Sequence, residues 1–454
     1  MNAGLARAAL LPACAVLVLL VWWPAMAGPF QFDDWWLVVA NPATGGVGGW
    51  WQSLPGIRPL LKLSLALNAE LAPAPWSYRA FNLAVHLGNA ALVALLMARL
   101  LPVLAPAHPR PPLAALATAL LFALHPATTE AVSYVSGRSI SLMALPYLGA
   151  LVLIAGAPRD GRRADLAAAL LFALALAVRE TAVTLPAAAA LVLRFKGESF
   201  RGIVWRLRWH LIVLGLALLA AALTPAYHSF FGWSLGTRSL AGQLLGQLEA
   251  HAYLLTRPLL GLHGNIDPDL RVPAGLEARH VLLMLSAAAL ALLAWRQRRR
   301  WPWLGFGLAW YLLHLLPSNS LLPRFDLAND RHLYLSLIGA AVLLAVPLSA
   351  LRRPLSATVP VLALCLMLAA ATALRNLDYR SELALWEATV RDSPDKARPW
   401  TNLGYARQLA GDLAGARQAY ACALARDPGY RQAAWNLAAL DEALEETPPD
   451  CRLP

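Results

Sequence analysis

Apolar runs long enough to cross a lipid bilayer recur along this chain, and they restrict its fold more than any other feature. They cover residues 81–101, 113–125, 140–157, 164–178, 181–195, 210–226, 279–295, 301–317, 332–350 and 354–374. Another follows Arg7 and ends near Met26, giving about eleven stretches to set against the roughly 20 residues that a 30 Å hydrocarbon core requires. In hydrocarbon every backbone N–H and C=O must be bonded within the spanning structure, and runs without period-two alternation do this as helices. The sequence therefore predicts an all-α, polytopic membrane fold. Several runs are short for the core, so their helices must extend into flanking loops. Composition agrees: 59% of the 454 residues are hydrophobic and 14% charged, against about 25% charged in an ordinary soluble domain.

Basic residues set the expected orientation. Arg99 and Arg110; Arg159, Arg162 and Arg163; Arg194, Lys196, Arg201, Arg206 and Arg208; Arg296, Arg298, Arg299 and Arg300; and Arg352 and Arg353 all fall in one alternate set of connections. Such residues stay cytoplasmic, which places the N-terminus inside and the tail outside. The Ala/Leu/Arg bias points to a GC-rich bacterial source, hence the inner membrane with a periplasmic tail. The net charge of +12 is then topological and lipid-contacting, and no nucleic-acid partner is expected. The first run ends in Ala25-Met26-Ala27 like a signal peptide but is long for one, and reads as an uncleaved helix. Counting 248–262 as a span would put the 295–300 basic cluster outside, so that segment is expected to be interfacial or re-entrant.

Residues 1–374 thus make the membrane domain and 375–454 a polar tail. Trp400-x-x-Leu403-Gly404, Ala416, Tyr420, Ala423 and Pro428 stand at the offsets of a 34-residue tetratricopeptide repeat. Trp386, Pro394 and Leu437 continue its phase. One full repeat between two halves is too short to fold unaided, so the tail is expected to lean on the membrane domain or a partner. Cys14 and Cys365 lie in apolar runs as small core residues; Cys422 and Cys451 are candidates to pair in an oxidising compartment.

Four polar clusters fall on the expected outer side. The first is Phe32-Asp33-Asp34-Trp35-Trp36, adjacent carboxylates that are costly at a membrane unless paired, metal-bound or used. The second runs from His125-Pro126 and Glu130 to Arg138. The third is Arg179-Glu180, either a turn ion pair or a pair facing a cavity. The fourth holds Pro317-Ser318-Asn319, Arg324, Asp326, Asp330, Arg331, His332 and Tyr334, in which Arg331 abuts an apolar run and the other charges read as loop surface. Taken together, carboxylates and arginines at one membrane face suit a phosphate-linked lipid substrate, because guanidinium forks bind phosphate and a carboxylate deprotonates a hydroxyl. Walker, G-x-G-x-x-G, H-E-x-x-H and G-x-S-x-G motifs are absent, which argues against nucleotide and hydrolase chemistry.

These residues resemble a family. Asp33-Asp34, Arg58-Pro59-Leu60, Tyr78-x-x-Phe81-Asn82-Leu83-x-x-His86-x-x-Asn89, His125-Pro126-x-x-x-Glu130 through Gly137-Arg138, the 180–186 segment, and Pro317-Ser318-Asn319 with Arg331-x-x-Tyr334-Leu335 are similar to the transmembrane-and-tetratricopeptide-repeat mannosyltransferases. Those belong to the GT-C glycosyltransferases and are related to protein O-mannosyltransferases. The resemblance implies inverting transfer of a sugar, mannose or another hexose, from a polyprenyl-phosphate carrier to a protein or glycan hydroxyl. It implies Asp33 or Asp34 as general base and Arg138 and Arg331 on the donor phosphate, with His125, Glu130, Glu180 and Tyr334 shaping the pocket. A divalent metal (Mg or Mn) would suit Asp33 and Asp34. The chain departs from the family pattern at Ile140, where an acid is common, and in its short repeat array. The competing readings are a GT-C transferase modifying a glycolipid or cell-surface polysaccharide, a lipid-linked-sugar flippase or transporter, although the membrane part shows no internal repeat, and a non-catalytic scaffold that recruits partners through its repeats.

Overall fold

Prolines set the starts of many helices in this chain. Pro59–Leu71, Pro75–Leu104, Pro111–Ala123, Pro302–Leu315 and Pro354–Asp378 each begin with a proline in the first turn, where its missing N–H costs nothing. The structure, a computed structural model, describes residues 14–54, 56–158 and 161–444. Among these it is all-helical, with no strand. The beginning of the first apolar run, Arg159 and Cys451 lie outside the described residues, and with Cys451 the question of its pairing to Cys422.

Among the described residues six helices are long and apolar enough to cross a membrane: Pro75–Leu104, Val135–Gly156, Phe200–Leu223, Ala278–Arg296, Asp330–Ser349 and Pro354–Asp378. Pro111–Ala123 and Pro126–Val132, bent by 56° at His125, make a seventh if taken as one span. The sequence count is higher because several apolar runs end early. Arg162–Val178 stops at the Arg179-Glu180 turn, Leu185–Phe195 is 11 residues long, and Pro302–Leu315 is followed by Pro317. At 1.5 Å per residue such helices reach about 15–25 Å, short of the hydrocarbon core. The 248–262 run forms the end of Leu240–Leu254 and a π-turn at Leu255–Leu260, and does not count among the spans.

Val135–Gly156 and Asp330–Ser349 are the inner helices, about 70% buried, whereas Phe200–Leu223 and Ala278–Arg296 expose most of their apolar surface. An exposed apolar surface that large is compatible with a membrane-spanning position. Pro302–Leu315 and Leu333–Ser349 approach closely where Gly307 meets Gly339: a Cβ at Gly339 would overlap the Gly307 carbonyl. Small residues at such a crossing let backbones touch. The basic connections staple the bundle away from the polar clusters, with Arg110 donating to the Leu351 and Arg352 carbonyls and Arg206 paired to buried Asp165 at 2.8 Å.

Among its described residues the tail has four helices, Glu382–Asp392, Ala397–Leu409, Leu413–Arg426 and Arg431–Leu444, each packed on the next. Its core of Trp386, Trp400, Leu403 and Cys422 is continuous with Ala25, Tyr134 and Ile266 of the preceding region. Gly404 is required there, since a Cβ would meet the Tyr420 ring at 2.5 Å.

Candidate functional site

The segment after the first helix turns at Phe32, whose left-handed backbone (φ 49°) aims the two following carboxylates apart. Phe32 is wedged between Tyr134 and Trp386, stacked on the first and edge-on to the second. Asp34 turns inward and is fully buried. Its Oδ1 accepts the Ser136 backbone N–H at 2.8 Å and the Ser136 hydroxyl at 2.6 Å, and its Oδ2 accepts the Gln31 N–H at 3.1 Å. Burial pushes its carboxyl up to about 6 against these bonds. Both oxygens are thus committed to holding the loop. Asp33 remains partly exposed, its N–H donating to the Tyr134 hydroxyl at 3.0 Å. Burial raises its pKa, while the facing Arg331, a Tyr134 hydrogen bond and the more distant Arg398 pull it down.

Arg331 is gripped by Glu130, which accepts its backbone N–H at 2.9 Å and pairs with its Nη1 at 3.0 Å. The bend at His125–Pro126 brings Glu130 there, and Gly137 is needed beside it because a Cβ would strike the Glu130 carbonyl. Arg179 and Arg324 lie within electrostatic reach of Arg331 and of Arg58. Arg58, itself in a left-handed conformation before Pro59, forks onto Glu180 at 2.9–3.0 Å. Arg179 is 5% exposed and donates to the Ser139 hydroxyl at 2.5 Å. Arg324 makes no hydrogen bond or ion pair among the described residues. Burial and then Arg58 and Arg331 push Arg324 down to about 10, and burial with Arg58, Arg324 and Arg331 pushes Arg179 further. Burial opposes ionisation of Glu180, but Arg58 holds it below the usual carboxylate range.

The recess therefore has four guanidinium groups against the carboxylates of Glu130 and Glu180, with Asp33 at its edge. The Nε donors of Arg179 and Arg331 are buried without a hydrogen-bond partner among the described residues, whereas His332 donates through Nδ1 to Asn319 Oδ1, which leaves its unpartnered Nε2 an acceptor. A narrow cavity runs past Arg179, Thr181, Thr184, Ser318 and His332. Buried donors left unsatisfied by protein are costly unless something anionic or hydrated completes them. The arrangement is chemically an anion receptor beside a carboxylate.

Several residues expected in the pocket have their hydrogen-bonding groups engaged with protein. Arg138 is fully buried and donates to Asn82 at 2.7 Å, Asn68 at 2.8 Å and the carbonyls of Ser64 and Tyr78, with its plane over the Phe81 ring. It ties helices together and leaves no fork for a phosphate. His125 caps the bend, accepting the Ala127 N–H and contacting the Leu259 carbonyl. Tyr334 bonds His86 at 2.7 Å and Asn89 at 3.0 Å inside the bundle. Glu180 borders the recess, but through Arg58 and the Tyr227 hydroxyl. Arg324 was obscured in the sequence by its setting among ordinary loop charges, and Arg179 by its neighbour Glu180, which reads as its partner. Nothing in the repeat pattern marks Arg398.

Both Asp34 oxygens accept hydrogen bonds from Ser136 and Gln31, so a metal shared with Asp33 would have to share Asp34 with the loop it holds. Among the described residues no group of three or more His, Cys, Asp or Glu side chains is placed to hold an ion. A cavity of about 580 Å³ lies beside this recess and not in it. Tyr253, Asn265, Arg257 and Asp269 line it together with Leu282 and Leu283 of the apolar Ala278–Arg296 helix. Tyr253 and Asn265 connect it to the recess by hydrogen bonds to Asp330. Comparison of the chain with protein-family models, curated proteins and solved structures finds no match to any of them.

Proposed function

We propose that this chain is a membrane glycosyltransferase that moves a sugar from a polyprenyl-phosphate carrier to an acceptor hydroxyl on the non-cytoplasmic face. The observation that carries this reading is one partly exposed carboxylate, Asp33, at the edge of an arginine recess with unsatisfied buried donors. The resemblance to the GT-C mannosyltransferases with tetratricopeptide repeats points the same way. In this mechanism the acceptor O–H attacks the anomeric carbon and passes its proton to the Asp33 carboxylate. The anomeric C–O bond breaks with its electrons going to the carrier phosphate, and stereochemistry inverts. Arg324, Arg331 and Arg179 supply charge where the leaving phosphate gains it, in a setting that excludes much water. Glu130 orients Arg331, and Asp34 fixes the loop that presents Asp33. The chain's topology follows the basic loops: an inner bacterial membrane, the N-terminus inside and a tetratricopeptide-type tail outside.

The test is sugar transfer from synthetic polyprenyl-phosphate-mannose by the purified full-length protein. Asp33→Asn is expected to lower turnover roughly 10²–10⁴-fold, the usual worth of a general base. Undiminished turnover in that variant would end the assignment of the base. A glycolipid acceptor is the second reading, and the 580 Å³ cavity walled by apolar Leu282 and Leu283 is what favours it. Peptide and glycolipid acceptors compared in one assay separate the two.

A further inference from the structure

The segment that carries Arg324 and Arg331 has no regular structure of its own. Between Leu315 and Asp330 the chain is turn, bend and extended backbone, with no helical ladder to fix where those guanidinium groups stand. The bundle holds it through Ser234, Gln243 and Arg238, which donate to the Pro323, Ser320 and Phe325 carbonyls, and two further tethers lead to the tail. The first is Asp326, which accepts from Arg398 Nη2 at 2.7 Å, with Lys396 at 3.7 Å and the Arg398 guanidinium over the ring of Phe325. The second is Asp330, whose Oδ2 accepts the Asn265 N–H at 2.6 Å. Asn265 is in turn bonded to Ser393 at 2.8 Å, and Ser393 also accepts the Asp269 N–H and donates to the Asp267 carbonyl.

Asp267 joins the two tethers. Its side chain is fully buried and takes charge-assisted bonds from both Lys396 and Arg398. Arg398 thus forks between a buried carboxylate in one loop and Asp326 in the other, a geometry that suits a planar guanidinium and not an ammonium. Arg324 stands two residues before the first tether and Arg331 one residue after the second.

We propose that Arg398 is a positioning residue of the anion recess: by bridging Asp267 and Asp326 it sets where Arg324 and Arg331 stand, so that the tail completes the site. This rests on the recess being the phosphate-binding part of the transferase. The tail is then part of the active centre's frame, and no acceptor need touch it for it to matter.

The test uses the full-length protein in detergent, with farnesyl phosphate as a short polyprenyl phosphate. Wild type is compared with Arg398→Ala, Arg398→Lys, Asp326→Asn and the Arg398→Ala/Asp326→Asn double variant. Asp326→Asn is the controlling variant, since it leaves Arg398 on Asp267 and the tail docked. Each of Arg398→Ala and Asp326→Asn is expected to weaken farnesyl phosphate roughly tenfold, the double variant no further, and Arg398→Lys to fall between. Hydrogen exchange across 320–331 is expected to quicken in both single variants while the melting temperature of Asp326→Asn stays at the wild-type value. In transfer assays the donor KM should rise with kcat little changed.

Exchange across 320–331 that stays at the wild-type rate in Asp326→Asn and Arg398→Ala overturns the proposal whatever the ligand does. So does undiminished farnesyl phosphate binding in those variants. Wild type that binds no farnesyl phosphate sinks the transferase reading and takes the recess with it. Wild type that binds it but transfers no sugar sinks the transferase reading alone.

Discussion

Two adjacent aspartates have opposite fates here, and the reason is local. Phe32 adopts a left-handed conformation, so Asp34 turns inward to Ser136 while Asp33 faces Arg331. The motif was legible in the sequence, but two adjacent acids look alike until the backbone between them and the bundle is known. The two substitutions should therefore differ in kind. Asp34→Ala should cost about 1–3 kcal/mol of stability by stranding the Ser136 and Gln31 donors, read as a lower melting temperature in detergent. Asp33→Ala should leave the melting temperature near wild type and abolish transfer. The two also differ in pH response. Burial raises the Asp33 pKa, and a base must be ionised, so kcat/KM should climb with pH along an acid limb lying above the ordinary aspartate range. Asp34 binds its proton more tightly folded than unfolded, so its contribution to stability is full below its unfolded pKa of about 4 and is lost as pH rises through about 6. A pH series of melting temperatures on wild type and Asp34→Asn checks this: the loss between those values should vanish in the variant.

Elements show where sequence periodicity stops being informative. The runs of apolar residues predicted helices, and helices formed. Their lengths were not legible, because where a run ends depends on a turn such as Arg179-Glu180 or the bend at His125 that tertiary contacts stabilise. Arg138 makes a related point. A lone arginine at a helix start looks ready for ligand, and only the fold shows four protein acceptors closing around it. The 316–329 connection carries the converse case, Arg324, a half-buried cation with no partner among the described residues. Its removal should stabilise the empty protein by relieving repulsion from Arg58 and Arg331. Arg324→Met is accordingly expected to raise the melting temperature without ligand while weakening farnesyl phosphate tenfold or more, about 1.4 kcal/mol. A variant that loses on both counts would mean that Arg324 is structural.

At the scale of the molecule, tail and bundle behave as one body. Tyr134 and Ile266 share a core with Trp386 and Trp400, and Asp267 is fully buried between Lys396 and Arg398. The repeat offsets in the sequence showed that a short array would need support, and they contain no sign of which surface supplies it. Removing the tail would leave Asp267 a buried charge without its cations, a loss of about 3–5 kcal/mol by the usual cost of breaking such a pair. A chain ending after residue 380 should therefore melt well below the full-length protein, and Asp267→Asn in that truncated chain should recover part of the difference. Tail helices that melt separately from the bundle in the full-length protein would contradict this.

The recess holds more positive charge than its own carboxylates balance, and that has a kinetic meaning. A ligand bearing phosphate feels this field before it makes any contact, so its arrival is steered and its departure is not. Association should slow steeply as ionic strength rises and the field shortens to a few ångströms, while the residence time of the bound carrier changes little.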